Sequence, residues 1–308
     1  MVDVTGEAID VVVVSYNTRE LTLRCVDCLL ASRNVKLDLV VVDNGSSDGT
    51  LDALAHLSPK VRVIPLTNNV GFGGANNIGF TKGSAPYVAL INSDAFVEPD
   101  TLFQLVEYMG SCPRAGVVGP RILNVDGSVQ KSCFYFPTPR RAWLENTGVG
   151  WLLDKLAPVV NVLRRGAIGG HPVEWLSGAA LVVRREVIAH VGGFDERFFL
   201  YSEETDWQYR IRQSGWQILW LPEAKLVHLG GGTGGGGGAA RVRECFFESV
   251  DRYFRKHYGL LGVLQLRAAT ALGAGIRLFA GCLFRKGSTA QVSYTWLLRR
   301  QLTKGFSS

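Results

Sequence analysis

The sequence lacks several features that would assign it at once to a known class of protein. It contains no GxxxxGK(S/T) loop, which excludes a P-loop phosphate site. Its most apolar stretch, 258–286, is interrupted by Arg267 and Arg277, so no uncharged run approaches the roughly 20 residues of a membrane span. The first residues include Asp3 and Glu7 instead of the basic start and long apolar run of a secretory signal. We therefore expect a cytoplasmic chain that does not cross the bilayer.

Cysteine is sparse, with six residues spread along 308 positions. Cys25 and Cys28 form a CxxC pair within a helical pattern, and no second pair accompanies them to complete a zinc site. A chain that is 47% hydrophobic is large and apolar enough to build a core without a disulfide framework. We predict ordinary thiols throughout.

Positive charge is concentrated near the C-terminus. The net formal charge is +6, and arginine and lysine crowd the segment 241–304. This asymmetry predicts that the tail meets an anionic partner such as a membrane surface, and it argues against a nucleic acid coating the whole protein. Arg267 and Arg277 share one helical stripe with Thr270 and Ala274, with apolar residues around the rest of the helix, as in an interfacial helix. A helix packed on the protein's own core is the alternative.

Short β-branched runs alternate with helical patterns in the first part of the chain. The strand-like runs are 11–14, 39–42, 61–64 and 87–91, and the helical ones are 21–31, 51–57 and 98–109. This alternation predicts a Rossmann-like α/β fold with a mixed, mostly parallel sheet flanked by helices. The pattern loosens after about residue 115, with a hairpin at Asp126-Gly127, and order returns near Trp175. We expect one α/β domain over 1–238, divided near 115/116, and a helical basic tail over 239–308.

Ligands of such sheets gather beyond the carboxyl ends of the strands. The polar residues found there are Ser15, Asn17, Asp43, Asn92, Ser93 and Asp94. Gly71 and Gly73 precede or open a helix, where the backbone can approach a diphosphate, and Asn76 in the same motif is a further candidate for nucleotide-sugar binding. The glycine spacing breaks at Asn76, which argues against a dinucleotide site and an NAD-dependent oxidoreductase. A turn or helix-cap role is the alternative for Asp43, whereas Asp94 fits Mg²⁺ or Mn²⁺ shared with substrate phosphates.

A second group of acidic residues begins a later helix. Glu203, Glu204 and Asp206 lie there, where the helix dipole also favours carboxylates as plain caps. The candidates for an acceptor or sugar pocket are Asp206 itself and the aromatic residues Trp175 and Trp207. His228 follows a strand and is a candidate metal or phosphate ligand, with a structural role as the alternative. Residues 230–238 hold eight glycines in nine positions, which predicts a hinge or lid.

The order of these motifs resembles family 2 of the inverting glycosyltransferases, and specifically its bacterial rhamnosyltransferase-like branch. The resemblance spans about residues 9–260 and rests on VVVVSYN, VVVDNGSSDGT, NNVGFGGANNIGF, LINSDA, WLSGAALVVRR, GGFDERFFLYSEETDWQYRIRQSGW and VHLGGG. It implies the GT-A fold, with the nucleotide-binding half before residue 115 and the acceptor half after it. It also implies a nucleotide-sugar donor.

The resemblance implies roles for individual residues. Asp43 would contact the nucleobase, Asp94 would be the metal-binding end of a DxD motif, and Glu204 would be the catalytic base. Two positions depart from the family pattern, because Asn92 replaces the first Asp of DxD and Glu204 replaces an Asp, which leaves Glu203 as a rival base. The QxxRW motif of processive synthases is absent, so we expect transfer of a single sugar.

The expected activity is therefore inverting, metal-dependent glycosyl transfer in cell-envelope polysaccharide synthesis. The donor would be a nucleotide-diphosphate sugar, for which the family branch suggests dTDP-rhamnose, and the acceptor a hydroxyl of a glycan or polyprenyl-linked molecule. The basic tail predicts peripheral association with the inner face of the cell membrane. A non-catalytic, membrane-associated sugar-binding module is the alternative.

Overall fold

The computed structural model describes residues 7–57, 59–148, 170–230, 239–283 and 288–303. The chain forms two compact units, one of Met1–Phe136 with Ile168–Ser249 and one of Pro137–Ala167 with Val250–Ser308. The second unit therefore takes up 137–167, a segment that the sequence division places in the α/β domain. The glycine run lies outside the described residues, apart from Gly230.

The first unit is built on a twisted mixed sheet. The strands are β1 (Ala8–Ser15), β2 (Lys36–Asp43), β3 (Arg62–Pro65), β4 (Tyr87–Asn92), β5 (Ala95–Val97), β6 (Ala115–Leu123), β7 (Cys133–Phe134), β8 (His171–Pro172), β9 (Trp175–Leu176), β10 (Ala180–Arg184) and β11 (Gln217–His228). Within the described ranges, nine strands join in the order β3-β2-β1-β4-β10-β6-β11-β5 with β8 beside β11, and β7 pairs with β9 separately. The adjacent strands β3, β2, β1 and β4 all run parallel to one another, whereas β10 and β5 run antiparallel to their neighbours.

Helices cover both faces of this sheet. The helices of the first unit are α1 (Arg19–Leu30), α2 (Thr50–Ala55), α3 (Gly71–Phe80), α4 (Thr101–Ser111), α6 (Arg185–Val191) and α7 (Glu203–Gln213), whereas α5 (Pro139–Asn146) and α9 (Ser288–Thr303) belong to the second unit and α8 (Ala239–Leu283) has residues in both. The apolar face of α1 includes Cys25, Val26 and Leu29, which recur at helical spacing and are buried. The described cysteines Cys25, Cys28, Cys112, Cys133 and Cys245 are all free thiols, as predicted.

Side-chain alternation in β1 divides the core into two layers. Val11 and Val13 belong to the cluster on one face of the sheet, and Val12 and Val14 belong to the cluster on the other. Because helices cover both faces, the strand reads as a continuous apolar run, as central parallel strands do. The polar residue Ser15 then ends the strand at the edge where its neighbours β2 and β4 also end.

Three arginines of the second unit make hydrogen bonds or ion pairs inside it. Arg267 donates to Asp251 Oδ2 at 2.9 Å, and Arg300 lies 3.4 Å from the same oxygen. Arg277 donates to the backbone oxygen of Asn146 at 2.8 Å. Arg267 and Arg300 are both buried. Arg267 and Arg277 of the predicted stripe therefore contact protein groups inside the unit, as the core-packed alternative predicts.

One helix among the described residues, Ala240–Gly281, is long and apolar enough to cross a membrane by length and composition. Core helices of soluble proteins pass the same test, and 39% of its most apolar window is buried within the protein. By length and composition α8 can therefore cross a membrane, whereas Arg267 and Arg277 within it argue against a crossing.

Candidate active site

Hydrogen bonds join the loop after β1 to the loop after β2, which also bonds the buried carboxylate of Asp43. Asn17 adopts a left-handed conformation (φ 51°), donates its N–H to Ser46 Oγ at 2.9 Å, and accepts from the Ser47 N–H at 2.8 Å. Asp43 is fully buried, and its Oδ2 accepts from the Ser46 N–H at 3.0 Å. Its Oδ1 is buried and has no hydrogen-bond partner in the described part of the chain. A buried acceptor left in this state favours a ligand that brings a donor, such as a nucleobase or ribose.

Ser15 and Ser93 belong to a buried cluster of hydroxyl groups. Ser15 Oγ lies 2.8 Å from Thr22 Oγ1, and Thr18 Oγ1 lies 3.0 Å from Ser93 Oγ. All four side chains are buried. The cluster joins β1 and the start of α1 to the turn after β4, so these serines hold the turn that carries Asp94. The sequence does not reveal this, because Thr22 lies inside a helical pattern and Ser93 is distant from Thr18 along the chain.

The start of α3 is held by Asn44 and shaped by Gly71. Asn44 Oδ1 accepts from the Val70 N–H at 2.9 Å, and its Nδ2 donates to Gly71 O at 3.2 Å. Gly71 has φ +82°, and a Cβ there would lie 2.5 Å from Phe199 O. No side chain fits at that distance, so only glycine lets α3 approach the loop before α7.

Gly73 and Asn76 serve the packing of α3. A Cβ at Gly73 would lie 2.9 Å from Phe194 Cβ, so the glycine allows close contact with the loop after α6. Asn76 is buried and donates to Phe72 O in its own helix at 2.9 Å.

A cavity of about 60 Å³ lies at the carboxyl ends of β1, β2 and β4. Its walls include Tyr16, Asn44, Gly71, Asn92 and Phe199. Asn92 Oδ1 is buried and has no hydrogen-bond partner among the described residues. The cavity therefore combines an aromatic wall, a close backbone approach and an amide oxygen available to a ligand or metal.

Asp94 and His228 meet beside this edge of the sheet. β5 and β11 pair in antiparallel register, with His228 opposite Ala95, and the Leu229 N–H donates to Asp94 O at 3.1 Å. His228 Nε2 lies 3.2 Å from Asp94 Oδ1, and the Asp94 side chain is almost completely buried. No group of three or more His, Cys, Asp or Glu residues suited to a metal occurs in the described ranges. One carboxylate, one imidazole and the nearby amide fit Mg²⁺ or Mn²⁺ whose remaining ligands come from substrate phosphates and water.

Two acidic residues begin α7 after a strained turn. Tyr201 and Ser202 are consecutive non-glycine residues with φ of 69° and 65°. Such strain is retained where the surrounding structure fixes it, often at functional sites. Burial raises the pKa of the Glu204 carboxyl, and burial followed by the charge of Glu204 raises that of Glu203 well above its ordinary value. The Oε2 atoms of both are buried and unpartnered among the described residues.

The three candidates for the sugar pocket, Asp206, Trp207 and Trp175, differ in how deeply they are buried. Asp206 is fully buried and pairs with Arg210 at 3.0 Å. Trp207 has no exposed surface, and its indole N–H donates to Gly192 O at 2.8 Å. Trp175 alone of these three keeps exposed surface, and it stacks on Phe134 with ring centroids 4.5 Å apart. Asp206 and Trp207 therefore support α7 from within the core.

Comparison with known proteins assigns the family. The model of glycosyl transferase family 2 matches residues 10–145. The chain is 32% identical over 236 residues to N-acetylglucosaminyl-diphospho-decaprenol L-rhamnosyltransferase of Mycobacterium tuberculosis, which covers 72% of this chain and 76% of that protein. The chain belongs to glycosyltransferase family 2. A low-salt glycan biosynthesis hexosyltransferase of Haloferax volcanii is 27% identical over 59% of the chain and 55% of its own length.

Solved structures confirm the GT-A fold of this family 2 glycosyltransferase. The mannosyltransferase PcManGT of Pyrobaculum calidifontis, in complex with GDP-Man and Mn²⁺, superposes with a TM-score of 0.58 at 19% identity, over 97% of this chain and 81% of that one. GalNAc-T7 with UDP, GalNAc and Mn²⁺ gives a TM-score of 0.55 at 16% identity, over 81% and 51%. Both of these neighbours hold Mn²⁺ in their solved structures.

Sequence reasoning missed supporting residues of the glycosyltransferase site. Gln208 is fully buried and clamps α7 to β9, since its Oε1 accepts from the Leu176 N–H at 2.8 Å and its Nε2 donates to Leu176 O at 2.7 Å. Gln130 contacts His228, 98 positions away, at 2.8 Å. No local pattern marks either glutamine, because each acts through a partner distant in sequence.

Proposed function

We propose that this glycosyltransferase moves one sugar from a nucleotide-diphosphate donor to an acceptor hydroxyl with inversion, in a metal-dependent reaction. The observation that carries the proposal is the contact between Asp94 and His228 at the edge of the sheet that also ends in Asp43 and Asn92. A nucleotide-diphosphate donor and its metal would contact these side chains together, so the proposal requires all of them at one edge of the sheet. Asp43 would accept from the nucleoside, and Gly71 and its neighbours would lie along the diphosphate.

Asp94 and His228 would hold the metal, with Asn92 Oδ1 as a further oxygen. When bound, Mg²⁺ or Mn²⁺ supplies Lewis-acid stabilisation of the departing diphosphate. The buried position of Asp94 keeps water from competing for its carboxylate. The amide at Asn92 leaves less negative charge than a second aspartate, so binding of the metal would depend strongly on donor phosphates.

Glu204 would act as the base in a single displacement. The acceptor oxygen forms its bond to the anomeric carbon as the bond to the diphosphate oxygen breaks, and the acceptor proton passes to Glu204. General base catalysis of this kind contributes about 10²–10⁴-fold. Burial raises the pKa of Glu204 towards the operating pH, which makes it a stronger proton acceptor once ionised. Glu203 remains the rival.

The donor we propose is dTDP-L-rhamnose, and the acceptor is a glycan linked to a polyprenyl diphosphate in cell-envelope synthesis. Support comes from the M. tuberculosis relative, an N-acetylglucosaminyl-diphospho-decaprenol L-rhamnosyltransferase of which the chain covers 76%. A thermal-shift panel of nucleotide sugars, each with and without Mn²⁺, tests the donor, because a ligand at 100 times its Kd stabilises the native state by about 2.7 kcal/mol. If only a different nucleotide sugar stabilised the protein, that nucleotide sugar would replace dTDP-L-rhamnose as the proposed donor. Stabilisation without turnover would favour the non-catalytic module.

Peripheral attachment to the inner face of the cytoplasmic membrane completes the proposal, and support comes from the second unit. Beyond Gly259, where α8 bends (φ 65°), all the exposed residues of α8 up to 281 are apolar. This apolar stripe consists of Leu260, Leu261, Leu264, Ala268, Leu272, Ile276 and Phe279. A spacing of three or four residues aligns them on one face over about 28 Å. Contiguous apolar surface of this kind is rare on soluble monomers.

The surroundings of the apolar stripe favour an anionic bilayer as its partner. The ion pair of Arg267 with Asp251 fixes the opposite face of α8 inside the unit, so the helix cannot turn the stripe inward. Arg252 and Arg255 are exposed one to two turns before the stripe begins. A second copy of the chain would bring like charges together, whereas anionic headgroups complement them.

A further inference from the structure

We infer that Gln130 is a positioning residue that fixes which nitrogen of His228 carries the proton. Gln130 Oε1 lies 2.8 Å from His228 Nδ1. The other end of the same amide, Nε2, donates to Asn124 Oδ1 at 3.0 Å and lies 3.4 Å from His228 O. Because Nε2 faces two acceptors, Oε1 must be the atom that faces the imidazole. An amide oxygen only accepts, so His228 Nδ1 carries the hydrogen.

The direction of these hydrogen bonds is set at the tip of the hairpin after β6. Asp126 Oδ1 accepts from the Ser128 hydroxyl at 2.6 Å and from the Ser128 N–H at 2.9 Å. These bonds, the hydroxyl first, lower the pKa of Asp126, so its carboxylate is an acceptor only. The Ser128 hydroxyl, having donated to Asp126, accepts from Asn124 Nδ2 at 2.9 Å. Asn124 Oδ1 is thereby turned towards Gln130, and every bond of the chain points one way.

The consequence falls on the contact between His228 and Asp94. With Nδ1–H committed to Gln130, Nε2 is the nitrogen that faces Asp94 Oδ1, at 3.2 Å. Without a proton, Nε2 offers a lone pair beside the carboxylate, and these two acceptors can share a cation between them. In protein metal sites the second imidazole nitrogen is held in this way, and loss of its partner typically weakens metal binding about 10–100-fold. The Asp126-Gly127 hairpin, far along the chain from both ligands, thus prepares Nε2 as the ligand atom.

This inference rests on the metal site of the proposed function, yet its first test needs neither metal nor substrate. The ¹⁵N chemical shifts and long-range ¹H–¹⁵N couplings of His228 in the metal-free full-length protein report the tautomer directly. We expect neutral His228 to be protonated on Nδ1. A neutral His228 that carries its hydrogen on Nε2 and leaves Nδ1 bare would overturn the inference, whatever the enzyme's activity.

Variants at Gln130 test the link to metal. Gln130→Leu removes the acceptor at similar size, and we expect mixed tautomers and at least tenfold weaker Mn²⁺ binding in the presence of nucleoside diphosphate. Gln130→Glu keeps an acceptor for Nδ1–H and should restore the single tautomer and most of the affinity. Val129→Ala, at the exposed neighbour, is the matched control and should change neither. Unchanged tautomer and Mn²⁺ affinity in Gln130→Leu, or no rescue by Gln130→Glu, would sink the idea.

Discussion

Glu203 and Glu204 are consecutive in the chain but face different elements. A Cβ at Gly73 of α3 would lie 3.7 Å from Glu203 Cβ, whereas a Cβ at Gly178, between β9 and β10, would lie 3.4 Å from Glu204 Cβ. Successive residues of a helix point about 100° apart, so only one of the two can face an acceptor. Glu203 is buried against α3 and Glu204 keeps part of its surface exposed, which favours Glu204 as the base.

Glu204→Gln should lower kcat at least about a hundredfold, because the amide keeps the size of the side chain but cannot take the acceptor proton. Donor affinity should be unchanged. Steady-state kinetics with a donor titration check both, and Glu203→Gln is the matched control, with a much smaller effect. The reverse ranking would move the base to Glu203, and near-full activity in both variants would reject the mechanism.

Glu203→Gln should stabilise the protein in a pH-dependent way. Below its ordinary pKa of 4.5, Glu203 is neutral in both the folded and the unfolded protein, and the free energy of unfolding is not reduced by it. As the pH rises from there through the raised native pKa, that free energy falls, because the unfolded carboxyl ionises more readily than the buried one. The glutamine cannot ionise, so the gain in the variant's free energy of unfolding should grow from acid to neutral pH. Urea unfolding of both proteins from pH 4.5 to 8 measures this. A difference that stays constant with pH would mean that the carboxyl is not held neutral by burial.

Asp94→Ala should abolish turnover and remove the Mn²⁺ dependence of donor binding while leaving the fold intact. The reason is that Asp94 is the carboxylate in contact with His228 at the proposed metal position. Calorimetric titration of the donor with and without Mn²⁺ provides the measurement. Asp100→Ala, at an exposed aspartate with no capping bond, is the control. Donor binding in Asp94→Ala with wild-type Mn²⁺ dependence would disprove the metal assignment.

Gly71→Ala should destabilise the protein more than Gly49→Ala does. Both glycines have left-handed φ, at +82° and +81°, which costs any other residue about 1–2 kcal/mol. Only at Gly71 would the new Cβ also meet a backbone atom, Phe199 O, at 2.5 Å, whereas at Gly49 the nearest atom is the flexible end of Arg19 at 3.7 Å. Urea unfolding compares them. Equal losses would show that the close approach of α3 to the Phe199 loop is not required.

Leu261→Ser with Phe279→Ser should reduce binding to vesicles containing anionic phospholipid at least tenfold, since these are the most exposed members of the apolar stripe, at 66% and 71%. Val125→Ser with Val129→Ser, equally exposed in the first unit, should leave vesicle binding unchanged. Flotation measures binding, and turnover on a short water-soluble acceptor should survive in both. The bilayer would be rejected as the partner if flotation were unchanged, or if the wild-type protein were a dimer and the stripe variant a monomer. Resistance to alkaline carbonate extraction would make α8 a membrane span.

The amino-acid pattern alone is enough to predict the parallel half of the fold and the positions of its candidate functional carboxylates. β-branched runs at 11–14 and 39–42 form β1 and β2, because a strand covered on both faces must be apolar on both. Asp43 and Asp94 follow from that pattern, since polar residues directly after buried strands collect at one edge. The GT-A fold was recognisable from the order of the motifs, which is a property of the chain alone.

Which of these residues touch depends on pairings between distant segments. His228 meets Asp94 through the antiparallel pairing of β5 with β11, and long-range pairing leaves no local mark in either segment. The Arg267 stripe was visible as one face of a helix, but periodicity identifies faces without saying which one meets protein. Asp251 and Arg300 supply the internal partners that turn Arg267 inward, and the apolar face is left outside.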